Sequence, residues 1–257
     1  MEKAAERIRH WEHLRDRGEL DIGLKNQNDL VTAADRESES VIRDYLESTF
    51  PSVPFLGEET GWSQSLSGSE YWVLDPLDGT TNFSHGFPQY SISLALIREG
   101  QPVLGVIHEV VRNDWFYAIS GEGAWKNGKT IHVSERPVSE SLFATGFPYR
   151  DFSHQNRFFQ TLDTVIRSSH GVRRAGSAAS DLAYTASGVF GGFWEYGLKP
   201  WDVAAGILLV REAGGMVVDY GGGEGMLQSG NIIAGSPHTC RFLLETIRQA
   251  YEGHPTD

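Results

Sequence analysis

Acidic residues stand where predicted elements end: Glu58 and Glu59 after "PFLG", Asp75 and Asp78 after "WVL", and Asp202 after Pro200-Trp201. A carboxylate beside a core is unfavourable unless positive charge meets it. Several gathered together cannot all ionise without cations, because each raises the pKa of the next. If these groups converge, hard oxygen donors with no nearby cysteine select Mg²⁺, Ca²⁺ or Mn²⁺ over zinc. Mg²⁺ shares phosphate oxygens with its protein ligands, which suits phosphoryl chemistry. Each group also has an ordinary reading. "GEE" is a solvated turn, and Asp202 is a first-turn acid favoured by the helix macrodipole. Asp75 and Asp78 cap a turn, although the Pro-Leu between them and the "GTT" after them make an odd one.

Anion-binding signals lie beside the acids. "DGTTNF" offers the backbone amides of Gly79 and Thr80. "RRAGSAASDLA" places Gly176 and Ser177 at a predicted helix start, where free N–H groups favour an anion. The ordinary alternative there is a serine N-cap before Ala178.

The elements that must position these residues fall into two rhythms. Ile8, Trp11 and Leu14 predict a first helix ended by Gly18, and "DRESESVIRDYLESTF" a second, stopped before Pro51. Strands "VPFLGEE" and "YWVLDPLD" follow. From "YSISLALI" through "QPVLGVIHEVV" and "DWFYAIS" to "KTIHVSE" the pattern is antiparallel sheet, with Asn127-Gly128 as a hairpin turn. After about residue 139 strands and helices alternate, up to a terminal helix in "HTCRFLLETIRQAY"; "DYGGGEGMLQSGN" reads as a glycine-rich loop. The expected organisation is an α+β subdomain (1–138) packed on an α/β subdomain (139–257).

The chain has 257 residues, with 34 Asp and Glu against 22 Lys and Arg, a net charge of −12. That balance argues against direct nucleic-acid binding, and an anionic substrate would need a local cation. No apolar run approaches bilayer length, and the charged N-terminal helix lacks a signal-peptide core, so a cytoplasmic, non-membrane protein is expected. The single cysteine, Cys240, excludes an intramolecular disulfide and a cysteine-based metal site, and its helical context assigns it to packing.

Together "DPLDGTTNF", "GEE", "DLVTAAD" and "WDVAAG" resemble the inositol monophosphatase family of Mg²⁺-dependent, lithium-sensitive phosphatases. The resemblance runs from "KNQNDLVTAAD" to "WDVAAGILLVREAGG". It implies a layered α/β/α/β/α sandwich of the inositol monophosphatase and fructose-1,6-bisphosphatase type, with mixed and antiparallel sheets, and a homodimer. It further implies that Glu58, Asp75 and the Leu77 carbonyl hold a first metal, while Asp75, Asp78 and Asp202 hold a second. A third, weaker ion leans on Glu58, and Mn²⁺ can substitute. Glu59 is then an accessory residue. The implied chemistry is attack by a metal-activated water without a phosphoenzyme, the water oriented by Thr80 hydrogen-bonded to Asp35. Asp35 has an N-cap as its ordinary reading. Lys25 matches a loop lysine that approaches the metals, with a solvated lysine as the alternative.

By the same resemblance, phosphate and ring contacts come from Asp78, Gly79, Thr80, Gly176, Ser177, Ala178 and Asp202. Glu195 accepts hydrogen bonds from inositol hydroxyls. The family often has threonine where Ser177 stands. The expected substrate is a phosphate monoester, first of all myo-inositol monophosphate. Rivals are fructose-1,6-bisphosphate, for which Arg173 and Arg174 are available, a nucleotide 3′-phosphate and histidinol phosphate. A different class is a regulatory binding protein of the same fold acting on the transcription machinery.

Overall fold

A computed structural model describes residues 1–19, 22–26, 29–64, 69–148 and 152–252 of the chain. Helices α1 (Glu2–Asp16) and α2 (Ala33–Thr49) flank a hairpin of β1 (Ile22–Asn26) and β2 (Asp29–Thr32). Among the described residues, eight strands then build one sheet: β3 (Phe55–Gly57), β4 (Gly61–Trp62), β5 (Glu70–Asp78), β6 (Ser91–Arg98), β7 (Gln101–Glu109), β8 (Asp114–Ile119), β9 (Gly123–Lys126) and β10 (Lys129–Thr130). Their spatial order is β10-β9-β8-β7-β6-β5-β3-β4, and only the β3–β5 pair is parallel. A one-turn helix, α3 (Thr80–Ser84), leaves the end of β5.

Among the described residues, five strands make the second sheet in the order β12-β11-β13-β15-β14. They are β11 (Phe143–Thr145), β12 (Val172–Arg173), β13 (Gly192–Glu195), β14 (Met216–Val218) and β15 (Ile232–Gly235). β11 runs parallel to β12 and β13, and the other pairs are antiparallel. Between these strands run α4 (Gln155–Ser168), α5 (Ala178–Ala186), α6 (Pro200–Glu212) and α7 (Met226–Ser229), and α8 (Pro237–Glu252) follows β15.

Apolar faces decide the layering. α1 and α2 cover one face of the first sheet, where Ile8, Ile42 and Leu46 pack with Phe55, Trp72 and Leu74. α5 and α6 fill the space between the sheets, and Leu182 and Ile207 share a core with Ile97 and Ile107 on one side and Phe193 on the other. α6 is buried continuously from Val203 to Val210, the pattern of a helix covered all round. α4 and α8 close the far face, with Phe158, Val165 and Leu243 on Phe143 and Trp194. The result is the expected α/β/α/β/α sandwich. The first sheet ends at Thr130 and the second begins at Phe143, while the central core draws on both.

Several local readings are corrected. The turn after Asp78 contains α3, and the glycine-rich stretch contains α7, which starts at the N-cap Gly225 and stops at a left-handed Gly230. "KTIHVSE" contributes only β10, because the chain then leaves the sheet edge and the Val133 amide bonds the Ala213 carbonyl. Cys240 is buried, and burial pushes its thiol up to about 12, which agrees with packing. No helix of the described residues is long and apolar enough to cross a membrane.

Candidate active site

Two residues three apart on a regular strand point to opposite faces. Asp75 and Asp78 escape that rule through a bulge. Asp75 pairs with Ser93 and Asp78 with Ser91, so β5 spends one more residue than β6 over this interval. Val73 belongs to the core between the sheets, whereas Leu74 and Leu77 face α1 and α2. The extra residue restores Asp78 to the same side as Asp75. Pro76, with no N–H to lose from the ladder, suits the bulge. The Leu77 amide donates to Asp75 Oδ1 at 2.9 Å.

Neighbouring elements bring two more acids. β3 runs beside β5 with Gly57 opposite Leu74, and the Glu58 amide continues the pairing by bonding the Leu74 carbonyl at 3.2 Å. Asp202 is the third residue of α6, and its Oδ2 accepts the Lys199 amide at 2.7 Å. The Ser93 hydroxyl, opposite Asp75, donates to the Trp201 carbonyl at 3.1 Å and ties the α6 start to β6.

The electrostatics follow from this proximity. Asp75, 2 % exposed, is held well above the usual carboxylate range, first by burial and then by Glu58, Asp78 and Asp202. Asp202 is pushed up to about 8 by burial and then by Asp78 and Glu58, and Asp75 is its hydrogen-bond partner. Asp78 is pushed up to about 6 by burial, against hydrogen bonds from Ser177 and Ala179 that favour its ionised form. Among the described residues no lysine or arginine forms an ion pair with Asp75, Asp78 or Asp202. A hard divalent cation fits this donor set, since oxygen ligands and uncompensated negative charge are what it requires. Among the described residues no three His, Cys, Asp or Glu side chains are placed so that together they could hold one ion. The acids therefore share a neighbourhood without forming a finished cage.

Thr80 opens α3 beside this cluster. The preceding Gly79 is left-handed, with φ of 100°, and a Cβ there would lie 2.9 Å from the Gln89 carbonyl oxygen. Only glycine fits both constraints. The Thr80 hydroxyl is 2.8 Å from Asp35 Oδ1 and 3.0 Å from the Leu77 carbonyl oxygen. Asp35 is not an N-cap: Thr32 caps α2, and Asp35 reaches back to the Thr32 amide and hydroxyl from the third helical position. Burial raises Asp35 to about 6 against these three hydrogen bonds.

At the start of α5, Ser177 is the N-cap, accepting the Ser180 amide at 3.3 Å. Its hydroxyl also bonds Asp78 Oδ2 at 2.6 Å, and the amides of Ala178 and Ala179 hydrogen-bond the Asp78 carboxylate. The helix-start amides that the sequence offers to phosphate are thus engaged by Asp78 in this structure. Gly176 adjoins Asn82, whose amide donates to the carbonyls of Gln89 and Ala175 at 2.7 and 2.8 Å. Asn82 therefore joins α3 to the α5 approach. Glu195 ends β13 against Gly146, where a Cβ would collide with it. Asp181 is held well above the usual range by burial, then by Glu195 and Asp78, so the fields of both reach it. Arg173 and Arg174 are exposed at the end of β12, with Arg174 over the Phe147 ring. The Lys25 side chain lies outside the described residues.

Sequence reasoning passed over Ser38, Glu39, Asn82 and Asp181. The first two carried a usable signal. The phase of Ile42 and Leu46 places positions 35, 38 and 39 on the buried face of α2.

A model of the inositol monophosphatase family matches residues 1–252. The chain is 42% identical over 239 residues to an inositol-1-monophosphatase of Mesorhizobium japonicum, covering 91% of this chain and 90% of that one. It is also 42% identical over 234 residues to the Nus factor SuhB of Pseudomonas aeruginosa, covering 89% and 86%. The crystal structure of the extragenic suppressor protein SuhB of Bartonella henselae matches with a TM-score of 0.92 at 38% identity, over 96% of this chain and 95% of that one.

Proposed function

The chain belongs to the inositol monophosphatase family, and from that premise we propose that it is a Mg²⁺-dependent phosphatase of polyol or sugar phosphate monoesters, first of all myo-inositol monophosphate. The observation that supports this most is the meeting of Glu58, Asp75, Asp78 and Asp202, from a strand end, a bulge and a helix start, in one field of mutual repulsion. In this reading Glu58, Asp75, Asp78, Asp202 and the Leu77 carbonyl hold two ions, and Glu58 supports a third; Mn²⁺ can replace Mg²⁺. Bound Mg²⁺ supplies the charge that acidifies water and stabilises a leaving alkoxide.

The chain's own groups do the positioning. Thr80 directs its proton to Asp35, which leaves the hydroxyl lone pairs to accept a hydrogen from water and set its line of attack. Gly79 and Thr80 amides donate to phosphate oxygens, with Gly176, Ser177 and Ala178 beside them. Glu195 accepts hydrogen bonds from substrate hydroxyls, and a fixed carboxylate can take two. Water displaces the alcohol directly, with no phosphoenzyme. Lithium inhibition, a homodimer and a cytoplasmic location belong to the same reading.

A panel of inositol 1-phosphate, fructose 1,6-bisphosphate, a nucleotide 3′-phosphate and histidinol phosphate, with phosphate release measured with and without Mg²⁺, tests it. Inositol 1-phosphate is expected to turn over fastest and only with Mg²⁺; no Mg²⁺-dependent release from any of them would refute the proposal. The relative named Nus factor SuhB supports a second reading, a role at the transcription machinery. Partners retained equally by wild type and Asp78→Asn in a pull-down would indicate a role independent of catalysis.

A further inference from the structure

Helix α2 carries three polar side chains on its buried face. Asp35, Ser38 and Glu39 are 0 %, 0 % and 1 % exposed, and with Ile42 they follow the i, i+3, i+4, i+7 spacing of one stripe. Each grips a different part of the site. Asp35 holds the Thr80 hydroxyl at 2.8 Å. Ser38 donates to the Pro76 carbonyl at 2.7 Å, inside the bulge between Asp75 and Asp78. Glu39 accepts the Glu59 amide at 2.9 Å, one residue beyond Glu58.

Such a stripe is an unfavourable way to pack a helix, since buried polar groups lose water that apolar side chains would not miss. Glu39 is the extreme case. Its Oε1 is buried and has no hydrogen-bond partner among the described residues. The fit is also tight, for a Cβ at Gly57 would lie 2.5 Å from Glu39 Oε2. An arrangement that sacrifices stability while touching the bulge and the Glu58-Glu59 turn points to a gain at the site.

We propose that α2 is the template that spaces the acidic cluster, with Ser38 and Glu39 as positioning residues. Glu39 holds Glu58 in place through the Glu59 amide, and Ser38 holds Asp75 and Asp78 in place through the Pro76 carbonyl. The proposal rests on the metal-dependent reading above and adds to it the residues that set cation affinity without touching the cation.

The test uses the full chain and Mg²⁺ alone as probe, by titration calorimetry and by the rise in melting temperature that Mg²⁺ causes. The Mg²⁺ concentration for half-maximal phosphate release is followed alongside. Glu39→Met keeps the volume and removes the acceptor, whereas Glu39→Gln keeps a carbonyl oxygen for the Glu59 amide. Glu39→Met is expected to bind Mg²⁺ about tenfold more weakly, the usual effect of losing a group that orients a ligand. Glu39→Gln is expected to recover most of that loss. Wild-type affinity in Glu39→Met, or equal losses in both variants, would overturn the proposal. Should Glu39→Met fail to fold, Ser38→Ala is the milder truncation, and unchanged Mg²⁺ affinity there is equally fatal. A wild type that binds Mg²⁺ yet releases no phosphate refutes the phosphatase reading and leaves the positioning test standing. A wild type that binds no Mg²⁺ overturns both.

Discussion

The Thr80 hydroxyl lies 2.8 Å from Asp35 Oδ1, a contact that spans 45 residues and joins the first turn of α3 to the first turn of α2. The other Asp35 oxygen is occupied by the Thr32 amide and hydroxyl, so the carboxylate is oriented before Thr80 meets it. Thr80→Ala should lower kcat by about a hundredfold, the small end of what a positioned proton-transfer group contributes, and leave Mg²⁺ affinity unchanged. Thr80→Ser should recover most of the rate. Parallel loss of metal affinity in steady-state and calorimetric titrations would place Thr80 among the ligands instead.

Asp202→Asn removes one of the mutually repelling charges while its carbonyl oxygen can still accept the Lys199 amide. Two opposite effects are expected. Phosphate release should fall to background, and the metal-free melting temperature at about pH 8 should rise by roughly 2–4 °C, the shift that about 1 kcal/mol produces in a chain of this size. Retained turnover would remove Asp202 from the metal site.

The metal-free chain should lose stability as pH rises. Asp35 and Asp78 are raised to about 6 and Asp202 to about 8 in the folded state, above the value near 4 of an unfolded aspartate. Groups raised on folding favour the folded state below the unfolded pKa, and that contribution vanishes as pH climbs through the folded values. Melting temperature without metal should therefore fall between about pH 4, the unfolded value, and about pH 8. If the proposed ligands are right, saturating Mg²⁺ should flatten or invert the trend, because a cation held by the ionised acids would displace their protons. Calorimetry in buffers of different ionisation enthalpy counts those protons; none released near pH 7 would mean that the acids are already ionised.

Glu195→Gln should alter the choice among polyol phosphates more than the rate on a small aryl phosphate, which has no ring hydroxyls to offer. The ratio of kcat/KM values for inositol 1-phosphate and the aryl ester is the readout. Equal losses on both would assign Glu195 to packing beside Gly146.

Much of the site was legible because carboxylates at element ends are conspicuous: Glu58, Asp75, Asp78 and Asp202 each interrupt an apolar pattern where a core should end. Asp35 was legible as a helix-start acid, but its position was not. The backbone makes Thr32 the cap, and Asp35 reaches back to it. The α2 stripe was readable from the phase of Ile42 and Leu46, yet "DRESES" looks like a solvated face to any rule that expects buried residues to be apolar.

Residue types and their order alone determined that this chain builds helices around two sheets and sets hard oxygen donors at the ends of their elements. The meeting of those donors was decided in three dimensions. Strand periodicity sends Asp75 and Asp78 to opposite faces, and only the bulge against Ser91 and Ser93 brings them to one side. Ser177 and the Ala178–Ala179 amides could have served any anion, and the packing of α5 against β6 and β7 delivered them to Asp78. Such outcomes depend on register and on which helix end faces which strand end, and those follow from burial of the whole chain rather than from any short run of residues.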